Sequence, residues 1–161
     1  MSVLRRARAL VAVAAMVLVI ASCQGAFPAD SQGTLERATG GELLGVSENP
    51  PFTGVAPDGA VSGSEVELVT EYAETIDAEV TWVPAGENVL AAEMKAGNLD
   101  VVIGGLPADA PWTSDIALTR PYTKTTGPDG RTIEIVLGVT PGENALLVDL
   151  ERFLAEQGGE V

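Results

Sequence analysis

Apolar and polar positions along the chain follow a strand–helix–strand–helix–strand order. Short apolar runs at 43–46, 80–83 and 99–103 predict three buried strands. Between them, apolar residues recur at helical spacing within 64–76 and 88–96, which predicts two helices. Strands that alternate with helices pair in parallel through right-handed crossovers, so the pattern predicts an α/β domain.

The first of these helices is expected to begin at Ser64, with Glu67 completing a capping box. Its buried face is expected to carry five apolar residues: Val66, Val69, Tyr72, Ala73 and Ile76. Four glutamates are expected largely on the opposite, solvated face: Glu65, Glu67, Glu71 and Glu74.

The flanking segments predict the ends of the domain. A short helix is expected at 34–39, before the first strand. Later, extended segments at 122–126 and 132–139 are joined by the turn Gly127-Pro128-Asp129-Gly130, which predicts a hairpin. A second capping box at 140–143 then opens a terminal helix. That helix has an apolar side, formed by Leu146, Leu147, Leu150, Phe153 and Leu154.

The first 22 residues are interpreted as a signal peptide. Three arginines precede an apolar run at 9–20, which is shorter than the roughly 20 residues that a spanning helix needs. The sequence Ile20-Ala21-Ser22-Cys23 resembles a bacterial lipobox, which implies cleavage before Cys23 and lipidation of its thiol. The alternative is an ordinary secretory signal with a coincidental cysteine. The prediction is a signal at 1–22, a flexible tether at 23–33 and one domain at 34–161.

Net charge and the lack of histidine exclude several kinds of partner and site. The net charge is −14, which argues against nucleic acid and against attraction to anionic lipid. Membrane attachment would therefore rest on the lipid at Cys23. The chain has no histidine and one cysteine, so neither a Cys/His metal site nor a Ser/His/Asp catalytic set is available, and no cofactor is expected.

A ligand site is expected where the third strand ends at Gly104-Gly105. Ligands of α/β sheets bind beyond the carboxyl ends of the strands, and glycines let backbone groups approach a ligand closely. The loop at 47–57, after the first strand, carries Asn49 and Phe52 to the same edge.

These segments together resemble the extracellular solute-binding proteins of the polar-amino-acid type, the binding components of ABC importers. The resemblance rests on 43–52, on Gly63-Ser64-Glu65-Val66-Glu67-Leu68, on 91–105, on Pro121-Tyr122 and on 136–154. It implies one lobe of a periplasmic-binding-protein type II fold, with a mostly parallel sheet flanked by helices and a C-terminal strand and helix.

Two departures from the family pattern shape the functional prediction. Typical members have a second lobe, but here only 13 residues separate Tyr122 from Val136. The resemblance also places Trp112 where the family has an arginine for the substrate carboxylate, and Pro107 where it has a threonine. Asn49 and Glu87 stand where aromatic residues would clamp the ligand. These losses predict that no free α-amino acid binds in the family's manner.

The predicted ligand site comprises Asn49, Phe52, Glu87, Gly105, Leu106, Asp109 and Trp112. Structural roles remain open for several of them. Phe52 could pack beneath its loop, Trp112 could fill the space of the missing lobe, and Glu87 and Asp109 could be solvated charges. Arg120 is a candidate partner for Asp115 at the hinge.

The resulting hypothesis is a non-enzymatic, lipid-anchored protein on the extracytoplasmic face of the cell membrane. It would bind a small polar solute or act as an accessory component of a transport system, with a membrane transporter or sensor as its partner. The alternative is a subunit that docks on a membrane protein through the same face. A dehydratase-like enzyme is a remote third reading.

Overall fold

The computed structural model describes residues 28, 30–39, 42–111 and 115–158. The helices are α1 (Thr34–Ala38), α2 (Ser64–Thr75), α3 (Glu87–Lys95) and α4 (Asn144–Glu156). The strands are β1 (Glu42–Val46), β2 (Gly54–Val55), β3 (Val61–Ser62), β4 (Glu79–Pro84), β5 (Val101–Pro107), β6 (Ala117–Leu118), β7 (Thr123–Thr126) and β8 (Thr132–Val139).

The main sheet has the order β4-β1-β5-β8-β6, with β7 also pairing with β8. Strand β1 lies parallel to both β4 and β5, as the alternation of strands and helices predicts. Strand β8 returns antiparallel to β5, β6 and β7. The predicted three-strand parallel unit, the β7–β8 hairpin and the final strand and helix are therefore confirmed.

Strand β5 is longer than the sequence predicts. It does not end at Gly104 but continues to Pro107, through an irregularity in its pairing with β8 between Val102 and Leu106. Gly104 and Gly105 have φ angles of 153° and 62°, which glycine adopts at little cost. This bulge turns the two amide groups away from the ladder and towards α2. The predicted loop at 47–57 also holds a short strand, β2, paired with β3.

Both predicted capping boxes are wrong. Gly63 is the N-cap of α2 and Glu143 that of α4, and neither helix has a side-chain cap from its N-cap residue. At α2, the Glu65 amide instead donates to the Phe52 carbonyl at 3.0 Å. At α4, a residue far away in sequence supplies the acceptor: the Asp30 carboxylate accepts hydrogen bonds from the Ala145 and Leu146 amides.

The core lies on both faces of the sheet. On one face, α2 and α4 pack together, and the rings of Tyr72 and Phe153 are 5.5 Å apart. As predicted for α2, Val66, Val69, Tyr72 and Ala73 are buried, whereas Ile76 is half-buried. The other face is covered by α3 and forms a second cluster: Leu90, Met94, Leu99, Val102, Leu106, Ile116 and Val136.

The segment before α1 is bound to the start of α4. Glu143 accepts hydrogen bonds from the Ser31 hydroxyl at 2.7 Å, the Gln32 amide at 2.9 Å and the Thr34 amide at 3.1 Å. We call Asp30–Thr34 together with Glu143 the N-terminal clasp. Residues 30–33 thus contact the domain, although the sequence places them in the tether. The division into signal, tether and domain stays a prediction.

The predicted signal peptide and Cys23 lie outside the described residues. Across the part of the chain that the structure describes, no helix combines the length and apolar character required for a membrane span. The lipid anchor therefore stays a prediction.

Candidate functional site

The carboxylate of Glu65, in the first turn of α2, lies at the carboxyl edge of the sheet. Its side chain is fully buried. One oxygen, Oε2, accepts hydrogen bonds from the Gly104 amide at 2.6 Å and the Gly105 amide at 2.9 Å. The other, Oε1, accepts one from the Tyr122 hydroxyl at 2.5 Å. We call these four residues the Glu65 cluster.

Burial is the main influence on the pKa values of Glu65 and Tyr122 in this cluster. Loss of solvation raises the pKa of Glu65 above its ordinary value of 4.5, although the hydrogen bonds from Tyr122, Gly105 and Gly104 act in the opposite direction. Burial and the neighbouring Glu65 carboxylate also raise the pKa of Tyr122. Tyr122 therefore stays protonated and serves as a donor, which lets it satisfy Glu65.

The structure brings Asn49, Phe52 and the two glycines of the bulge together. The Asn49 side-chain amide donates to the Gly104 carbonyl at 2.8 Å. The Phe52 ring lies directly against Gly105. A Cβ atom at Gly105 would therefore overlap the ring. Phe52 thus packs under its loop while remaining half-buried. Both amides of the bulge and one carbonyl are therefore engaged by other parts of the chain.

The remaining predicted ligand residues are dispersed. Leu106 is fully buried in the second core cluster, so its side chain is not available to a ligand. Glu87 is half-buried at the start of α3 and lines a very small cleft with Leu106 and Ile116. Asp109 is exposed in the turn after β5. Trp112 lies outside the described residues.

The predicted ion pair between Arg120 and Asp115 is wrong. The Arg120 backbone amide donates to Glu151 at 2.8 Å, and its guanidinium lies 3.7 Å from the same carboxylate. Asp115 instead pairs with Lys95 at 2.8 Å. Arg120 is thus attached to α4, which packs across the sheet, rather than to the loop that precedes β6.

A larger groove lies between the turn after β5 and the β7–β8 hairpin. Its volume is about 480 Å³. The turn after β5 lines it with Pro107, Ala108 and Asp109, and the hairpin lines it with Lys124, Asp129, Arg131, Thr132, Ile133 and Glu134. We call it the hairpin groove. The groove was not predictable from local pattern, because it depends on how far the hairpin projects beyond the end of β5.

The burial of Glu65 corrects its predicted position among the solvated glutamates of α2. The helical spacing contained the signal. Val69 and Tyr72 follow Glu65 at intervals of four and seven residues, so all three lie on one face of α2. A glutamate on an apolar face indicates a buried carboxylate that requires partners from elsewhere in the fold.

Among the described residues, no group of histidine, cysteine, aspartate or glutamate side chains is arranged to hold a metal ion. What the carboxyl edge offers is hydrogen-bonding groups and charges around an open groove.

The chain matches a known family of binding proteins. Residues 43–157 match the family of bacterial extracellular solute-binding proteins, family 3. The chain belongs to this family. The match includes the Glu65 cluster and all the strands and helices described above except α1 and the first residue of β1. The family resemblance predicted from sequence is therefore confirmed. Membership also indicates an extracytoplasmic location. No curated protein matches the chain significantly.

Solved structures confirm the single-lobe fold of this solute-binding family member. A mutant of domain 1 from TmArgBP, in its arginine-bound form, is 25% identical, with a TM-score of 0.65, and the match covers 76% of this chain and 96% of that one. The arginine-bound, truncated ArgBP from T. maritima is 15% identical, with a TM-score of 0.65, and the coverage is 76% and 99%.

A third solved structure is an ancestral amino-acid-binding protein, AncCDT-1, described as a precursor of cyclohexadienyl dehydratase. It is 12% identical, with a TM-score of 0.68, and the match covers 78% of this chain and 93% of that one. At this identity the likeness concerns the fold alone. The family itself is defined by solute binding, which agrees with the prediction of a binding protein.

Proposed function

We propose that this chain is a lipid-anchored, single-lobe solute-binding component of a transport system. The observation that carries the proposal is the meeting of two loops at the carboxyl edge of the sheet, where Asn49 contacts the Gly104 carbonyl at 2.8 Å and Phe52 covers Gly105. This is the edge at which α/β sheets bind ligands. A small polar solute would bind at this edge, beside Asn49 and Phe52.

The proposal excludes a free α-amino acid held in the family's manner. Several solved relatives are bound to arginine, but the resemblance places Trp112 and Pro107 where the family has a guanidinium and a hydroxyl. The bulge does not compensate, because the Gly104 and Gly105 amides already donate to Glu65. A ligand carboxylate therefore lacks the bidentate partner that makes such recognition strong.

Thermal unfolding of the full chain in detergent tests the proposal. Each of the common α-amino acids and a set of sugars, polyamines and other small polar solutes would be added separately. We expect at least one solute that is not an α-amino acid to raise the Tm, since a ligand at about 100 times its Kd stabilises by about 2.7 kcal/mol. Replacement Asn49→Ala should reduce that rise, whereas Asn98→Ala, an exposed control, should not.

The possible outcomes separate the parts of the proposal. A Tm rise with micromolar L-arginine or another α-amino acid would contradict the exclusion of amino acids. If no solute raises the Tm, solute binding is wrong. The anchor is tested in cells: globomycin should leave the precursor uncut, and normal processing would contradict lipidation at Cys23.

The same face supports a second candidate, a docking surface for a transporter or sensor. The observation in its favour is that Glu65 and Asn49 already satisfy the polar groups of the bulge. A partner that covers this edge would then need few new hydrogen bonds. Absence of any solute effect, together with retention of the chain by a membrane protein, would favour this candidate.

A further inference from the structure

We propose that the N-terminal clasp holds the amino edge of the sheet towards the membrane and directs the candidate solute site, at the opposite edge, away from it. The amino edge is the side on which the parallel strands β1, β4 and β5 begin, and the carboxyl edge is the side on which they end. The inference rests on the lipid anchor of the proposed function. It adds the orientation of the site and the reach that a membrane partner needs.

The clasp lies at the amino edge. Strand β8 runs antiparallel to β5, and its last residue, Val139, pairs with Val101, the first residue of β5. The Thr140 amide then donates to the Asp100 carbonyl at 3.2 Å. The turn that leads into α4 is therefore at this edge, and Glu143 accepts the hydrogen bonds of the clasp from there.

Further contacts attach the same segment to this edge. Arg37 of α1 forms an ion pair with Asp100 at 2.8 Å. The Asp30 carboxylate caps the start of α4, and the Ser31 amide donates to the Gly142 carbonyl at 3.2 Å. The chain from residue 30 onwards is thus bound at one edge of the sheet by both side-chain and backbone contacts.

The candidate solute site lies at the other edge. Asn49 and Phe52 follow the end of β1, and Asn49 donates to the Gly104 carbonyl at 2.8 Å. Strand β1, Glu42–Val46, advances by about 3.3 Å per residue, so it spans roughly 13 Å. The clasp and the loop at 47–53 lie beyond opposite ends of the strands, so the height of the sheet separates them.

The clasp shortens the chain that can connect the domain to the membrane. Because residues 30–33 are bound to the domain, only residues 24–29 separate Cys23 from the clasp. Seven steps from Cys23 to Asp30, each of at most about 3.6 Å, reach roughly 25 Å. A chain that ran back to the carboxyl edge would use about half of this reach along the strands alone. This limit favours an amino edge that faces the membrane.

The charge of the chain does not favour the opposite orientation. The net charge of −14 gives no attraction to anionic lipid, so adsorption of the domain on the bilayer is not expected to override the connection through Cys23. The point at which the chain leaves the domain then decides which edge faces the membrane.

This orientation constrains the membrane partner. The solute site is open to the extracytoplasmic medium, while the height of the sheet lies between it and the bilayer. A transporter or sensor that contacts this edge therefore needs a part that rises above the membrane by more than roughly 13 Å.

Energy transfer from a labelled cysteine to acceptor lipids tests the orientation. The full chain is lipidated in bacterial cells, its mass is checked for the lipid, and it is inserted into the outer leaflet of phosphatidylcholine vesicles. Lipidation occupies the Cys23 thiol, so a donor dye labels only an introduced cysteine. Asn98→Cys and Asp109→Cys place it at exposed positions before and after β5. We expect the Asp109→Cys label to lie about 13 Å or more farther from the acceptors than the Asn98→Cys label.

Two changes to the labelled chains should reduce this difference. Insertion of about 15 glycine and serine residues after Gly25 lengthens the connection without altering the domain. The double substitution Asp30→Ala and Glu143→Ala removes the side-chain acceptors of the clasp. Circular dichroism checks that this variant is folded. Glu156→Ala, at the exposed end of α4, is the control and should leave the difference unchanged.

The outcomes separate this inference from the proposed function. Equal distances for the two labels, or a nearer Asp109→Cys label, would overturn the inference and leave the lipid anchor and solute binding intact. A difference that persists after the insertion, or in the folded double variant, would also overturn it, because the clasped connection would then not set the orientation. If the mass shows no lipid at Cys23, the inference and the anchor of the proposed function both fail.

Discussion

Two buried glutamates, Glu65 and Glu143, occupy similar positions with opposite electrostatic outcomes. Their exposed fractions are 0% and 1%, each lies at or just before the start of a helix, and each accepts hydrogen bonds from two backbone amides and one hydroxyl. Yet the pKa of Glu65 is raised, whereas that of Glu143 is lowered. Residue type and number of donors therefore do not decide the outcome.

The difference comes from what surrounds each carboxylate. Burial is the largest influence on both and raises the pKa in each case. At Glu143, hydrogen bonds from Ser31, Thr34 and Gln32 overcome it, and Ser31 and Gln32 are themselves exposed. At Glu65, the donors lie between α2 and the bulge of β5, where burial dominates. A carboxylate beneath a surface segment and one within the sheet edge thus respond differently.

Glu65→Ala is expected to have the largest effect, because it leaves the Gly104 and Gly105 amides and the Tyr122 hydroxyl without their acceptor. Each buried group left unsatisfied costs about 1–3 kcal/mol, so we expect a loss of roughly 3–5 kcal/mol in the free energy of unfolding. Urea unfolding followed by circular dichroism measures it. The exposed control on the same helix, Glu67→Ala, should change stability by about 0.5 kcal/mol or less. A loss below about 1 kcal/mol for Glu65→Ala would mean that the cluster is not structurally important.

Glu143→Ala should have a smaller effect, about 1–3 kcal/mol, because two of its donors lie on exposed residues and can bind water instead. It should also remove the contacts of Ser31 and Gln32 with Glu143, so limited proteolysis should cut residues 31–33 faster while the rest of the domain stays folded. Glu156→Ala, at the exposed end of α4, is the control. Equal proteolysis of the variant and the original chain would show that Glu143 does not hold the N-terminal clasp.

The smallest expected effect is a difference in pH dependence. Because folding raises the pKa of Glu65, this group's contribution is fully present below its ordinary value of 4.5 and is lost as the pH rises through the folded pKa. Because folding lowers the pKa of Glu143, its contribution is present above 4.5 and is lost as the pH falls through the folded pKa.

Urea midpoints between about pH 3 and pH 7 measure this difference when each glutamine variant is compared with the original chain. Glu65→Gln should remove a decline in stability on the alkaline side of 4.5. Glu143→Gln should remove a decline on the acidic side. The same slope change for both variants would contradict the opposite shifts.

Regular elements were largely predictable from local pattern. The spacing of Val69 and Tyr72 fixes the buried face of α2, and the Gly127–Gly130 turn between two extended segments fixes the β7–β8 hairpin. Both signals act between residues close in sequence, where the periods of helices and strands decide which side chains share a face.

The candidate site was predictable only in part. The sequence indicated that Asn49, Phe52 and Gly105 meet at one edge, and the structure places them in contact. It did not indicate that Glu65 occupies the bulge, that Asp30 caps α4 or that Asp109 faces a groove beneath the hairpin. These features join residues that are remote in sequence, such as the separation of 115 between Asp30 and Ala145.

By itself, the sequence determined the order of the main strands and helices and the family to which the chain belongs. Tertiary structure alone decided which charged side chains are buried and which hydrogen-bond donors they receive. A glutamate in isolation belongs in water, because burying an unpaired carboxylate is costly. Glu65 and Glu143 are buried because folding brings donors to them across the chain, and that compensation depends on three-dimensional proximity that local pattern does not encode.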